Sequence, residues 1–137
     1  MVDEGRVARL LRSIAERAGR LRTAAERADR DELWLDAVKY LFVTTIEGLV
    51  DVAQHIAASE RFGPPDTNAD ALRMLGRHGV IDVALAESLA RAVGFRNVLV
   101  HQYATVDDTI VVAALERLDE FDTFVSAVST WLTEQRD

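Results

Sequence analysis

Apolar side chains return every three or four positions through nearly the whole chain, and that regularity limits it to helices that each bury one stripe. From Arg6 to Ala28 the stripe is Val7, Leu10, Leu11, Ile14, Ala18, Leu21, Ala25 and Ala28, with Arg, Glu and Ser between, the 3.6-residue period of an amphipathic helix. Asp29 followed by Glu32 resembles a capping box for the next helix. That second helix is predicted from Asp31 to Arg61, burying Val38, Leu41, Phe42, Ile46, Leu49, Val52, Ala53 and Ile56. Phe62-Gly63-Pro64-Pro65 ends it, since proline offers no amide hydrogen and clashes with the preceding turn. A short helix from Asn68 to Leu75 stops near Gly76 to Gly79. A fourth starts near Ile81-Asp82 and carries Val83, Leu85, Ala86, Leu89, Ala90, Val93, Phe95 and Leu99 inward. Gly94 interrupts it, which predicts a close contact or a bend just before Arg96. A last helix is expected from Asp108 to Thr133, capped by Asp107 or Asp108. No useful strand alternation occurs. The expectation is an all-α fold, an antiparallel bundle of four to five helices forming a single domain over residues 1–137.

The chain contains no cysteine, which excludes a disulfide framework, a thiolate nucleophile and a Cys-ligated metal, and fits a reducing compartment. The first residues lack an apolar signal region, and no uncharged apolar run approaches the roughly 20 residues that span a bilayer. No membrane association and a cytoplasmic location are expected. The net charge of −7 argues against nonspecific nucleic-acid binding, where Lys and Arg supply most of the affinity. Residues 1–30 nevertheless hold eight arginines against five acids, and the rest eight basic against eighteen acidic groups.

One stretch carries candidate chemistry: Arg96-Asn97-Val98-Leu99-Val100-His101-Gln102-Tyr103. Arginine offers a permanent planar cation for phosphate, and histidine titrates, as a residue type, near neutrality, so together they suit phosphoryl chemistry without a metal. Five residues separate them, about 140° on a straight helix. Two readings stand. Either two copies face each other and share one cleft, or His101 caps the last carbonyls of its helix while Arg96 pairs with an acid such as Glu47 or Asp51. On the second helix Tyr40, Thr44, Glu47, Asp51 and His55 fall within about 80° of arc, either a plain solvated face or a stripe with metal-ligand spacing. The three histidines show no metal-protease spacing, and neither a glycine-rich phosphate loop nor a nucleophile elbow is present. Trp34 and Trp131 read as core or interface residues.

At Arg96-x4-His101-x-Tyr103 the chain resembles the HepT group of the HEPN superfamily, the toxin half of MntA–HepT toxin–antitoxin pairs. The resemblance extends through Tyr40 to Asp51, His55-Ile56-Ala57, the Gly63-Pro64-Pro65 stop, Met74-Leu75 to Val80, Gly94 to Tyr103 and Val106-Asp107-Asp108, about residues 6–135. It implies a helical homodimer and an endoribonuclease that needs neither metal nor other cofactor. On that resemblance Arg96 binds the scissile phosphate and His101 is the general base or acid, with Asn97, Glu47 and Asp51 as supporting groups. It further implies that a cognate MntA-like nucleotidyltransferase antitoxin transfers AMP to Tyr103, placing bulk and negative charge where RNA phosphate enters. The alternative is a noncatalytic helical partner of a small nucleotidyltransferase, which suits the acidic balance.

Overall fold

In the computed structural model, which describes residues 1–136, six helices make up the fold. They are α1 (Glu4–Glu26), α2 (Glu32–Ser59), α3 (Asn68–Arg77), α4 (Val83–His101), α5 (Asp108–Ala114) and α6 (Asp119–Arg136), with a single 3₁₀ turn, Leu115–Arg117, between the last two. No strand occurs among the described residues. The first five helices are set by a side-chain oxygen at the N-cap: Asp3, Asp31, Thr67, Asp82 and Asp107 each accept from an amide of the first turn. Such caps satisfy donors that have no partner inside the helix. Asp31, not Asp29, begins α2, accepting from the Trp34 amide at 2.8 Å.

One buried cluster joins the elements. Val7, Ile14 and Leu21 of α1, Val38, Ile46, Leu49 and Ile56 of α2, Leu72 and Leu75 of α3, Leu89 and Leu99 of α4, and Phe124 and Val128 of α6 are almost wholly inaccessible. Each full burial of such a side chain contributes about 1.5–3 kcal/mol. Trp34 and Trp131 belong to this core, as expected from their type. Helix α2 is the central element, packed on α1, α3 and α4, while α6 lies on α1. Phe42 meets Phe95 edge-on at 5.4 Å between ring centres, which ties the middle of α2 to the last turns of α4.

Two expectations need correction. Gly94 bends nothing: α4 runs unbroken to His101, and a Cβ at position 94 would meet no atom within 4 Å. The close approach lies at Gly76 instead, where an added Cβ would sit 2.6 Å from that of Ala86, so α3 and α4 cross almost backbone to backbone. The expected last helix is two helices, bringing the total to six. Leu115, Leu118, Phe121 and Phe124 recur at three-residue steps and are all buried. An α-helix turns such a series away by about 60° per step, whereas a 3₁₀ turn keeps it in line, so the backbone tightens at 115–117.

Candidate functional site

The stretch from Arg96 to Tyr103 forms the last two turns of α4 and the turn that follows. Only Leu99 is fully buried within it; Asn97, Val98, Val100, His101, Gln102 and Tyr103 are exposed. The Gln102 amide closes the helix on the Val98 carbonyl at 2.8 Å, and the Val106 amide returns to the Gln102 carbonyl, turning the chain toward α5.

Arg96 points back onto α2. Its Nη2 donates to Glu47 Oε1 at 2.7 Å and its Nη1 to Asn97 Oδ1 at 3.2 Å, while Nε is buried without a partner. Asp51, Gln54 and Asn68 line the same hollow beside Glu47, and Gln54 Nε2 donates to Asn68 Oδ1 at 3.3 Å. Glu47 therefore directs the guanidinium, Asn97 adds a second contact, and Asp51 shares the hollow without bonding Arg96. At the other end of the polar α2 stripe His55 Nε2 accepts from the Asp3 amide at 3.0 Å, tethering the start of α1. Among the described residues no three His, Asp or Glu side chains converge as a metal site.

His101 projects from the end of α4 into solvent, and among the described residues no hydrogen bond or ion pair holds it. It does not cap the helix carbonyls. Because α4 is continuous between them, Arg96 and His101 leave its axis about 140° apart.

Tyr103 sits in a setting that sequence spacing did not reveal. Its hydroxyl donates to Asp36, to Oδ1 at 3.1 Å and to the backbone oxygen at 3.3 Å. Lys39 Nζ stands 4.7 Å from its ring centre, donates to its carbonyl at 3.1 Å and lies 3.5 Å from Asp108 Oδ1. Lys39 is only 5% exposed, and a buried ammonium demands this combination of partners. Burial, and then the Asp36 carboxylate, push the Tyr103 phenol above its ordinary value. The clue available beforehand was that Lys39 is the sole lysine beside fifteen arginines. Below the turn, Asp107 caps α5 by accepting from the Thr109 hydroxyl at 2.7 Å and its amide at 2.9 Å. The hydroxyl, then the amide, hold its carboxyl below the usual range.

Residues 8–128 match the family model described as ribonuclease HepT-like. An mRNA nuclease HepT of Shewanella oneidensis is 30% identical over 83 residues, 60% of this chain and 62% of that protein. A tRNA nuclease HepT of Aphanizomenon flos-aquae is 29% identical over 63% of this chain and 59% of its own length, so each alignment spans less than two thirds of the relative. A putative RNase of Archaeoglobus fulgidus is 32% identical across 78% of this chain and 81% of its own. Among solved structures, the tri-AMPylated HEPN toxin of Shewanella oneidensis in complex with MNT antitoxin superposes with TM-score 0.83 at 24% identity, covering 95% of this chain and 99% of that one. The cytosolic protein YutE of Bacillus subtilis, of unknown function, reaches 0.88 at 16% identity over 98% and 93%; both share the fold. With a family match running from α1 into α6, this chain belongs to the ribonuclease HepT-like family.

Proposed function

We propose that this chain is the RNA-cleaving toxin of a toxin–antitoxin pair, acting as a metal-independent endoribonuclease across a cleft shared by two copies. The observation that carries this reading is that α4 runs unbroken through Arg96 to His101, five residues or about 140° apart on a helix, with His101 exposed and, among the described residues, unpartnered at its end. A two-fold axis beside this end brings two arginines and two histidines around one phosphate. Val98 and Val100, exposed on the same turns, supply apolar surface for such a contact.

In this mechanism Arg96, aimed by Glu47 and Asn97, binds the scissile phosphate and offsets the charge that develops on its oxygens. His101 of one copy takes the proton from the ribose 2′ hydroxyl, whose oxygen attacks the adjacent phosphorus. His101 of the other donates a proton to the departing 5′ oxygen, leaving a 2′,3′-cyclic phosphate. Asp51 supports the hollow beside Arg96. Regulation comes from a MntA-like nucleotidyltransferase antitoxin that attaches AMP to Tyr103. An AMPylated toxin bound to such a partner is known for the Shewanella oneidensis relative. A phosphate ester two residues from His101 repels incoming RNA.

The test is cleavage of RNA by purified protein in excess EDTA. Wild type should cut and leave cyclic phosphate ends, and His101→Ala should lose activity by two to four orders of magnitude, roughly the contribution of a general acid–base group. Equal cutting by the variant refutes the catalytic assignment. A wild type that leaves RNA intact makes the chain a noncatalytic binding partner instead.

A further inference from the structure

We infer that Asp36 is the general base for nucleotidyl transfer to Tyr103, so that this chain itself supplies the group that activates its acceptor hydroxyl. The inference rests on the reading above that Tyr103 is the acceptor. Its grounds are the contacts of one oxygen atom. Tyr103 Oη makes two hydrogen bonds, both donated to Asp36, and among the described residues it makes no other. Asp36 and Lys39 lie three residues apart on α2 and face the turn together. Lys39 holds the ring from one side and the Tyr103 carbonyl from another, while Asp108 anchors the ammonium. The ring is thus fixed with its O–H aimed at a carboxylate.

A phenol so placed needs a base. Burial raises Tyr103 above its ordinary value, which leaves almost no phenolate at neutral pH. The proton must then leave as the new bond forms. Asp36 is exposed and Tyr103 is 40% exposed, so the pair lies at the surface, where a partner's nucleotide can approach. In the step, the Tyr103 oxygen attacks the α-phosphorus of a magnesium-bound nucleoside triphosphate held by the partner enzyme. The bond from that phosphorus to pyrophosphate breaks and pyrophosphate departs with its electron pair. The phenolic proton passes to Asp36 and on to water. The carboxylate touches the reacting oxygen and is a catalytic residue in that sense; Lys39 is a positioning residue.

The experiment incubates the purified chain with its cognate nucleotidyltransferase antitoxin, magnesium and ATP, and times adenylylation of Tyr103 by intact-mass and peptide mass spectrometry. Asp36→Asn keeps an amide oxygen as acceptor but gives up the base. It should lower kcat about a hundredfold or more, leave KM for the toxin within about twofold, and melt as wild type does. Asp36→Ala should be slowed likewise and be partly restored by added acetate, which does nothing for wild type. Wild-type protein gaining AMP at Tyr103 while Asp36→Asn gains it equally fast overturns the role of Asp36 and leaves Tyr103 as acceptor. A slowed Asp36→Ala protein that acetate does not rescue reduces Asp36 to a structural contact and also overturns it. Wild-type protein that gains no mass at Tyr103 overturns the proposed regulation itself.

Discussion

Removing the carboxylate of Glu47 tests whether Arg96 depends on α2 for its aim. Arg96 Nη2 and Glu47 Oε1 are 2.7 Å apart, and the two side chains are 25% and 46% exposed. A hydrogen bond to a charged group contributes about 1.5–3 kcal/mol when shielded. Solvent at the Glu47 end brings that toward about 1 kcal/mol. If the bond serves to hold the guanidinium ready for phosphate, about 1 kcal/mol corresponds to roughly a five- to tenfold loss in kcat/KM for Glu47→Ala. Arg96→Ala should cost about a hundredfold or more, because it removes the cation itself. The decisive measurement is the double variant, with cleavage of one fluorogenic RNA followed in all four proteins. Glu47 acts through Arg96, so in the Arg96→Ala background Glu47→Ala should change nothing. The same five- to tenfold loss in both backgrounds refutes the reasoning and makes Glu47 an independent participant. Melting of Glu47→Ala should fall by only about 4 °C, which separates lost aim from lost fold.

Two glycines should respond in opposite senses. Gly76→Ala forces a methyl group against Ala86 and should cost about 1–3 kcal/mol, whereas Gly94→Ala meets open space and should stabilise by up to about 1 kcal/mol; thermal melts decide, and the reverse order refutes the packing described for α3 and α4. Asp107 has a lower folded value because the Thr109 hydroxyl and amide bind its carboxylate, so the stability it adds is present above the unfolded carboxylate range and is lost as pH falls through the folded value. Melting temperatures of wild type and Asp107→Ala should therefore differ most near neutrality and converge in acid, and parallel curves refute this account of the cap. With two arginines per cleft as the phosphate contacts, the logarithm of RNA affinity should fall against the logarithm of salt with a slope of about −1.4. A slope steeper than about −3 places the arginines of α1 on the RNA path, although α1 packs on α2 and α6.

The helices were legible because their signals are local. Each stripe of apolar residues repeats within a few turns, and aspartates stand where four of the five side-chain caps proved to be. What escaped depends on neighbours far along the chain. Nothing near Gly76 in sequence reveals Ala86 pressed against it, and Gly94, which looked like the break, lies in open space. The division of the last helix was written as four buried residues at three-residue steps, but a scan for the 3.6 period absorbs such a run into one long helix.

The same contrast separates the two halves of the candidate site. Arg96 was expected either to serve a phosphate or to pair with an acid such as Glu47; the ion pair is present at 2.7 Å, and a guanidinium bound at one edge still presents its remaining N–H groups to the proposed phosphate. His101 had the option of capping α4 and does not take it. Because α4 is whole, the spacing of five residues sets this arginine and histidine about 140° apart around its axis, and the proposed cleft draws its second histidine from another copy. Nothing in the motif points to a partner for the Tyr103 hydroxyl, yet it donates to Asp36, 67 residues earlier. Lys39 clasps the same ring from the next turn of α2. Both partners lie on the central helix, so the core fixes how Tyr103 is presented, and in the proposed regulation AMP transfer there reports on a correctly folded chain.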